Sequence, residues 1–333
     1  MQSLKQINFL RQRKTLKICK HIIDDRISAF RVNRKKVVFN LGSTHQELSL
    51  AQSCSYIETV FDDYLKYGGI NQNDLVGMKV LEIGPGDNLG VALNFLAAGV
   101  KKVVCLDRIY SKRNTEQERS TYLYLRAKME PVSRQRFDSA IKIENNSFSC
   151  NQEKLNYFYG IDVARAAQVL GEEKFDLVVS RAVLEHIFEI DKAFEVMDKY
   201  LKEGGLLLHK IDFRDHEMFS RDKFHPLEFL TIPEFFWRHM TQHSGKPNRR
   251  LKNYYEERLK ALGYDFKILI THLTGRQEEF LPPKENIVLN RDFGDSDLRI
   301  IDSIRPRLAP QFRKLTDEVL LTAGIFLVAK KHL

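Results

Sequence analysis

The sequence has few of the features that mark secreted or membrane-spanning proteins. Its four cysteines are scattered and form no C-x-x-C pair, so neither a zinc site nor a disulfide framework is indicated. No apolar run approaches the roughly 18 residues that cross a bilayer, and the first residues form no apolar signal region. We therefore expect a cytoplasmic protein, either unattached or peripheral to the inner membrane surface.

Positive charge is concentrated in the first 40 residues. Eleven Lys or Arg and two Asp occur there, so this segment carries a net charge of +9, which is also the net charge of the whole chain. Apolar side chains recur within it at helical spacing, at Cys19, Ile22, Ile23, Ile27 and Phe30. A basic amphipathic helix packs on its own domain, lies on an anionic membrane or binds nucleic acid. Of these alternatives, nucleic acid is the least favoured.

Beyond residue 75, short apolar runs alternate with amphipathic stretches. Seven strands are predicted, at 79–83, 102–106, 155–160, 175–180, 206–213, 264–271 and 323–330. Such alternation favours the α/β class, with a doubly wound sheet and helices on both faces. We divide the chain into a basic helical extension, 1–75, and an α/β domain, 76–333, with insertions at 214–258 and 274–318.

The longest predicted helix of this domain follows the strand at 175–180. Its apolar stripe runs from Val183 to Leu201, and Gly204 and Gly205 are expected to close it. His186 is then expected at the start of this helix.

The most informative motif is the segment 80–90, VLEIGPGDNLG. An apolar strand reaches Glu82 and breaks into a glycine-rich turn that opens a helix, where backbone N–H groups are unpaired. The spacing G-x-G-x-x-x-G differs from that of dinucleotide sites, and the acids Glu82 and Asp87 oppose a phosphate. These features favour a cationic, phosphate-free nucleoside such as S-adenosylmethionine. The alternatives are a dehydrogenase and a turn that only packs a helix on the sheet.

A second acid supports a nucleoside site. Asp107 lies 25 residues after Glu82, at the end of the next apolar run. A carboxylate at this position suits the two hydrogen bonds of a ribose diol.

Four segments in order resemble the class I S-adenosylmethionine-dependent methyltransferases: LEIGPG (81–86), VVCLD (103–107), FDLVVSRAVLEHI (175–187) and LKEGGLLLH (201–209). The resemblance runs from about residue 56 to the C-terminus. It implies a Rossmann-like, seven-stranded mixed sheet whose last strand inserts antiparallel between strands five and six. Segments 209–216 and 237–249 look, more loosely, like a bacterial subgroup associated with glycan or natural-product biosynthesis.

The resemblance implies a set of cofactor contacts. Glu82 would hold the amino-acid end of S-adenosylmethionine, Asp107 the ribose hydroxyls, and Asp162 the adenine amino group, with a helix N-cap as the alternative for Asp162. Ser180 and Arg181 would line the inner wall of the cofactor site. The further cofactor-binding candidates are Gly84, Pro85, Gly86, Asp87, Asn88, Gly90 and Arg108.

Catalytic candidates cluster near two strand ends. Methyl transfer is an in-line displacement that needs alignment, and a hydroxyl acceptor also needs a base, for which histidine suits neutral pH. His216 and His186 are the favoured bases. His209 and Asp212 point to opposite faces unless their strand ends by residue 212, and for His209 a core role, bonded to a backbone carbonyl, is favoured.

No metal is expected. His209, Asp212, Asp215 and His216 are ligand types, but their spacing matches no strong metal signature.

The acceptor is expected to lie beneath the segment 224–250. Its Phe235, Phe236, Trp237, His239 and His243 would stack on a ring or sugar face, or else form a small core under a lid. The opposite wall is predicted on the preceding helix, at Tyr56, Phe61 and Tyr64.

Together these features predict O-methylation of a small-molecule, sugar or natural-product acceptor. The alternatives are an RNA methyltransferase that uses the basic N-terminus and a non-catalytic scaffold at the membrane. The sequence does not determine the oligomeric state.

Overall fold

The computed structural model describes residues 2–33, 38–39, 45–46, 48–145 and 147–332, with side chains from residue 13 onward except at 32, 33, 38 and 39. The side chains of five cationic residues counted above lie outside this described part: Lys5, Arg11, Arg34, Lys35 and Lys36.

Twelve strands and twelve helices are formed by the described residues. In chain order, the strands are β1 (Val38–Phe39), β2 (Lys79–Ile83), β3 (Lys102–Asp107), β4 (Tyr110–Ser111), β5 (Ile141–Ile143), β6 (Phe148–Cys150), β7 (Leu155–Tyr159), β8 (Phe175–Arg181), β9 (Leu201–Asp212), β10 (Asp265–Leu273), β11 (Glu279–Lys284) and β12 (Thr322–Lys330). The helices are α1 (Gln2–Asn33), α2 (Leu50–Gly68), α3 (Gly90–Ala98), α4 (Thr115–Lys128), α5 (Pro131–Ala140), α6 (Ala167–Leu170), α7 (Ile190–Tyr200), α8 (Glu234–Thr241), α9 (Lys252–Ala261), α10 (Asp295–Ile304), α11 (Pro310–Arg313) and α12 (Asp317–Leu321).

An eight-stranded sheet forms the centre, in the order β11-β10-β12-β9-β8-β2-β3-β7. The strands from β9 to β7 are parallel, whereas β12 is antiparallel to both β9 and β10. The predicted α/β class, the mixed sheet and the insertion of the last strand are therefore confirmed.

The sheet has one strand more than the predicted seven. The additional strand, β11, lies at the edge and contains Pro282 and Pro283. Two prolines argue against a strand in a sequence pattern, but an edge strand tolerates them because one side needs no N–H donors.

The core consists of two apolar layers on the two faces of the sheet. Alternate side chains of the central strands enter different layers: Leu81 and Val104 lie in one, Val80 and Val103 in the other. Burial on both faces explains the nearly continuous apolar runs.

The helix predicted from Val183 to Leu201 is wrong in its bounds. A 3₁₀ turn at Leu184–His186 comes first, α7 starts only at Ile190, and β9 starts at Leu201. The Asn248 amide donates to the carbonyls of Leu184 and Ile187 at 2.8 and 2.9 Å, so these carbonyls are satisfied without a continuing helix. Gly204 and Gly205 lie inside β9 beside a shift in its register with β8, as in a β-bulge, and do not close the helix.

The basic helix α1 packs on the chain's own body, against α8. Ile18 and Ile22 enter the apolar core. Asp25 is 1% exposed, and its Oδ1 accepts hydrogen bonds from the backbone N–H groups of His243 and Ser244 at 2.7 and 2.8 Å. The lysine Lys17 forms a salt bridge with Asp222. A buried carboxylate thus anchors the helix to the loop that follows α8.

We expect Asp25→Ala to loosen α1, because it leaves two buried N–H groups without an acceptor, at a cost of about 1–3 kcal/mol. Hydrogen–deuterium exchange of residues 14–30 should become faster in this variant. The matched control is Asp24→Ala, whose side chain is 43% exposed. Equal exchange in the two variants would contradict the anchoring role.

Candidate functional site

A cavity of about 660 Å³ opens where β2, β3 and β8 end. Ile83, Asp107 and Arg181, the last residues of these strands, all line it. This edge is where open α/β sheets bind ligands. Every cofactor-binding candidate except Ser180 lines the cavity, as do His186 and His216, whereas His209 and Asp212 do not.

The glycine-rich bend forms the floor of the cavity. Gly84 and Gly86 have φ values of +71° and +70°, which favour glycine, and the Gly84 N–H donates to the Leu106 carbonyl at 2.7 Å. A Cβ at Gly84 would lie 2.4 Å from a methyl group of Val183. The bend therefore needs glycine at this position for its φ and for close packing.

Two acids of the bend region are withdrawn from water. Burial raises the pKa of Glu82 to about 7, and the nearby Cys105 thiol donates to its carboxylate at 3.4 Å. Burial likewise raises the pKa of Asp107 to about 6, although the Ile109 N–H donates to it at 3.2 Å. Both carboxyl groups would ionise more readily beside a cationic ligand.

Three further residues hold the bend in place. Asp87 accepts hydrogen bonds from the backbone N–H groups of His45 and Gln46, both at 3.1 Å, while also lining the cavity. The side-chain amide oxygen of Asn88, Oδ1, accepts a hydrogen bond from the Gly90 N–H at 2.7 Å, at the start of α3. Arg113, which sequence reasoning missed, donates to the Gly86 carbonyl at 3.1 Å.

Asp162 and Arg108 lie close to each other at the cavity. The Asp162 carboxylate accepts from the Ala164 N–H at 3.0 Å and caps a 3₁₀ turn, which is the alternative considered for it, yet the residue also lines the cavity. Arg108 donates to the His243 carbonyl at 3.0 Å and lies 3.9 Å from Asp162.

Arg181 forms part of the wall next to α2. Its guanidinium donates to Asp63 at 2.7 Å and lies over the Tyr56 ring at 5.4 Å. Tyr56 and Tyr64 line the cavity as predicted, whereas Phe61 packs against Phe95 and does not.

Ser180 and His209 bond to each other away from the cavity. The Ser180 hydroxyl oxygen lies 2.7 Å from His209 Nδ1, and both side chains are buried. Burial lowers the pKa of His209 to about 3, so the imidazole is neutral at physiological pH. The expected core role of His209 agrees with this placement, but its partner is a hydroxyl and not the backbone carbonyl we expected. Asp212 ends β9 and pairs with Arg214 at 2.6 Å.

His186 and His216 form a pair among the three imidazoles that line the cavity, and the third belongs to His45. Their ring centroids are 4.7 Å apart with an interplanar angle of 79°. Burial lowers the pKa of His186 to about 4, whereas His216 is exposed at a positive φ of +47°, as is Ala182 at +54°. Strained backbone of this kind occurs preferentially at functional sites.

Among the described residues, one group of His and Glu side chains could hold a metal ion, and two of its three members line the cavity. The ligand atoms of Glu185, His186 and His216 lie within 4.8 Å of one another. The four ligand types considered from the sequence, His209, Asp212, Asp215 and His216, do not form a metal site. Asp215, for example, accepts hydrogen bonds from the N–H groups of Phe219 and Ser220, both at 2.8 Å.

The acceptor side is built differently from the sequence expectation. None of Phe235, Phe236, Trp237, His239 and His243 lines the cavity. Trp237 is buried and donates to the Pro247 carbonyl at 3.0 Å.

Instead, the loop after α8 and the basic helix α1 contribute to the cavity wall. Ser244 to Pro247 line the cavity, together with Asp24 and Ser28 of α1. The two acids within an otherwise basic helix, Asp24 and Asp25, were the sequence signal that could have identified this role.

Comparison with known proteins agrees with this geometry. The model of a family described as a methyltransferase domain matches residues 55–265. Comparison with curated protein sequences gives no match.

Several solved structures are similar to this chain. One is a protein of Bacillus halodurans C-125 that is described as a methyltransferase. The two sequences are 15% identical, the match covers 83% of this chain and 100% of that chain, and the TM-score is 0.40. Another is phosphoethanolamine N-methyltransferase 2 of Haemonchus contortus, solved with S-adenosyl-L-methionine. It is 18% identical, the match covers 84% of this chain and 53% of that chain, and the TM-score is 0.42. A third is a cyclopropane-fatty-acyl-phospholipid synthase-like protein of Lactobacillus casei. It is 10% identical, the match covers 85% of this chain and 94% of that chain, and the TM-score is 0.43.

The family model spans more than half of the chain, over the strands and the glycine bend that form the cavity floor. The chain therefore belongs to this methyltransferase family and is an S-adenosylmethionine-dependent methyltransferase.

Proposed function

We propose that the protein methylates a hydroxyl group of a small-molecule, sugar or natural-product acceptor, with His216 as the general base. The observation that carries this proposal is the single cavity, which joins the glycine bend and Asp107 to the His186–His216 pair.

The residues of the bend fit S-adenosylmethionine. Gly84 and Gly86 line the cavity and have no side chain, so the backbone of the bend is accessible to a ligand. The carboxyl groups of Glu82, which is buried, and Asp107, which is half-buried, suit a ligand with an ammonium and a ribose diol. When bound, this cofactor supplies an electrophilic methyl group on a sulfonium. The chain's part is then to orient the acceptor and remove its proton.

The burial of His186 and the exposure of His216 favour His216 as the base. A conjugate acid with a pKa of about 4 gives its proton away readily, so His186 takes up a proton poorly at neutral pH. His216 is exposed at the cavity mouth and can pass the proton to solvent. His186, edge-on to it at 4.7 Å, holds the ring in place.

The acceptor side supports a hydroxyl-rich acceptor. Asp24, Ser28, Ser244 and Lys246 line it and offer both hydrogen-bond donors and acceptors. The reaction type is tested by incubating the protein and cofactor with panels of sugar, phenol and amine acceptors and measuring the S-adenosylhomocysteine released. Turnover with amines and none with hydroxyl compounds would overturn O-methylation.

Asp107→Ala should weaken S-adenosylhomocysteine binding by about 10- to 100-fold, since it removes charged hydrogen bonds to the ribose. Titration calorimetry measures this loss. Asp265→Ala, at a carboxylate whose side chain is 76% exposed outside the cavity, serves as the control. Wild-type affinity in Asp107→Ala would refute the assignment of the ribose site.

His216→Asn should lower kcat by about 100-fold or more, the usual contribution of a positioned base. S-adenosylhomocysteine affinity should stay unchanged, which separates proton transfer from cofactor binding. His332→Asn, on an exposed histidine outside the cavity, is the matched control. A large loss in His186→Asn with near-normal His216→Asn would instead make His186 the base.

S-adenosylhomocysteine binding should weaken as the pH falls from 8 to 5. Because the pKa values of Glu82 and Asp107 are raised to about 7 and about 6, both carboxylates take up protons in this range, and the ligand's ammonium favours their ionised forms. Calorimetry in buffers of different ionisation enthalpy should also show proton release on binding. Asp107→Asn should keep only the part of the pH dependence that is centred near 7. Affinity that is constant between pH 5 and 8 would contradict this role of the carboxyl groups.

A further inference from the structure

The helix α1 has two apolar faces, and only one of them is covered by the described chain. Ile18 and Ile22 face the core on the same side as Asp25. Leu16, Ile23 and Ile27 lie on the opposite side, because spacings of seven and four residues return to one face of a helix. They are 70%, 59% and 45% exposed.

The exposed face continues onto α8. The guanidinium of Arg26 lies 3.4 Å from His239, whose ring is edge-on to that of Phe235 at 4.7 Å. Phe235 and its neighbour Phe236 are 66% and 44% exposed. We call the surface formed by these side chains the apolar stripe: Leu16, Ile23, Ile27, Phe235 and Phe236. An exposed apolar patch of this kind marks an interaction surface.

Cations flank the stripe. By helical spacing, Lys20 and Arg31 project from one side of it and Arg26 from the other, and all three are exposed. Lys14 and Lys17, by contrast, lie toward the covered face and pair with Glu228 and Asp222. Of the described cations of α1, Lys14 and Lys17 therefore pair inside the fold, whereas Lys20, Arg26 and Arg31 lie beside the stripe.

We propose that the apolar stripe docks the protein on an anionic phospholipid surface. Apolar side chains that enter the interface, with Lys and Arg at their edges, are the signature of helices that lie in the membrane plane. Within the part of the chain that the structure describes, we find no helix whose length and apolar character would let it cross a bilayer.

The same observations disfavour the other occupants. A second copy would place its own cations against Lys20 and Arg31, which is unfavourable. Nucleic acid would use the cations but gains nothing from Leu16, Ile23 and Ile27. The helix that meets the membrane also supplies Asp24 and Ser28 to the cavity, so docking places the cavity wall beside the lipid surface.

The test is vesicle sedimentation with the full chain. We expect at least about tenfold stronger binding to vesicles that contain phosphatidylglycerol than to pure phosphatidylcholine, and weaker binding as salt is added. The double variant Ile23→Ser/Ile27→Ser and, separately, Lys20→Gln/Arg31→Gln should each lose most of this binding. Leu281→Ser/Val132→Ser, at side chains 78% and 60% exposed elsewhere, and Lys314→Gln are the matched controls.

Each alternative outcome overturns the proposal. Two of these outcomes concern vesicles: no binding by the wild type, or equal binding by the Ile23→Ser/Ile27→Ser variant. The third is a dimer, detected by light scattering, that this variant abolishes. The fourth is binding to single-stranded RNA that needs Lys20 and Arg31 but not the isoleucines. S-adenosylhomocysteine affinity, measured in parallel, should be unchanged in all four variants, which shows that the fold is intact. The membrane result stands or falls independently of the proposed methyl acceptor.

Discussion

Burial of acidic side chains at the carboxyl edge of a parallel sheet is the constraint on which the site depends. Glu82 belongs to β2 and Asp107 ends the neighbouring β3, and loss of water raises the pKa of both carboxyl groups. Without a ligand, removal of these carboxyl groups from water costs free energy. Hydrogen bonds and charge interactions with a bound ammonium and hydroxyl groups offset this desolvation cost. The glycine bend brings backbone close to the same space, so one short segment sets both the shape and the charge of the cofactor end.

A second buried carboxylate organises the other end of the cavity. Asp25 joins α1 to the loop after α8, and that loop and that helix both line the cavity. The matched family region begins at residue 55, so α1 lies outside it and yet contributes to the cavity wall. The glycine bend and this part of the wall thus come from different regions of the chain.

Much of the fold could be predicted because its signals are local. Continuous apolar runs mark the parallel strands, and the glycine-rich turn after β2 marks the start of α3. The edge strand β11 was missed because its prolines resemble a loop, and the long helix after β8 was wrong because Asn248, more than 60 residues away in sequence, satisfies the carbonyls of Leu184 and Ile187. The aromatic residues 235–237 were expected either to contact the acceptor or to form a small core under a lid, because composition does not indicate the direction in which a side chain points.

The sequence by itself determined the layered α/β sheet, the cofactor bend and its acids, because strand, turn and helix propensities act over a few neighbouring residues. Only the tertiary structure decided which polar groups share the cavity. Ser180 and His209 bond to each other beneath it, whereas His186 and His216, 30 residues apart, meet at its mouth, and Asp24 arrives from the N-terminal helix. Such encounters depend on the packing of distant elements, and burial then sets the pKa of each group, so neither is encoded in any single segment.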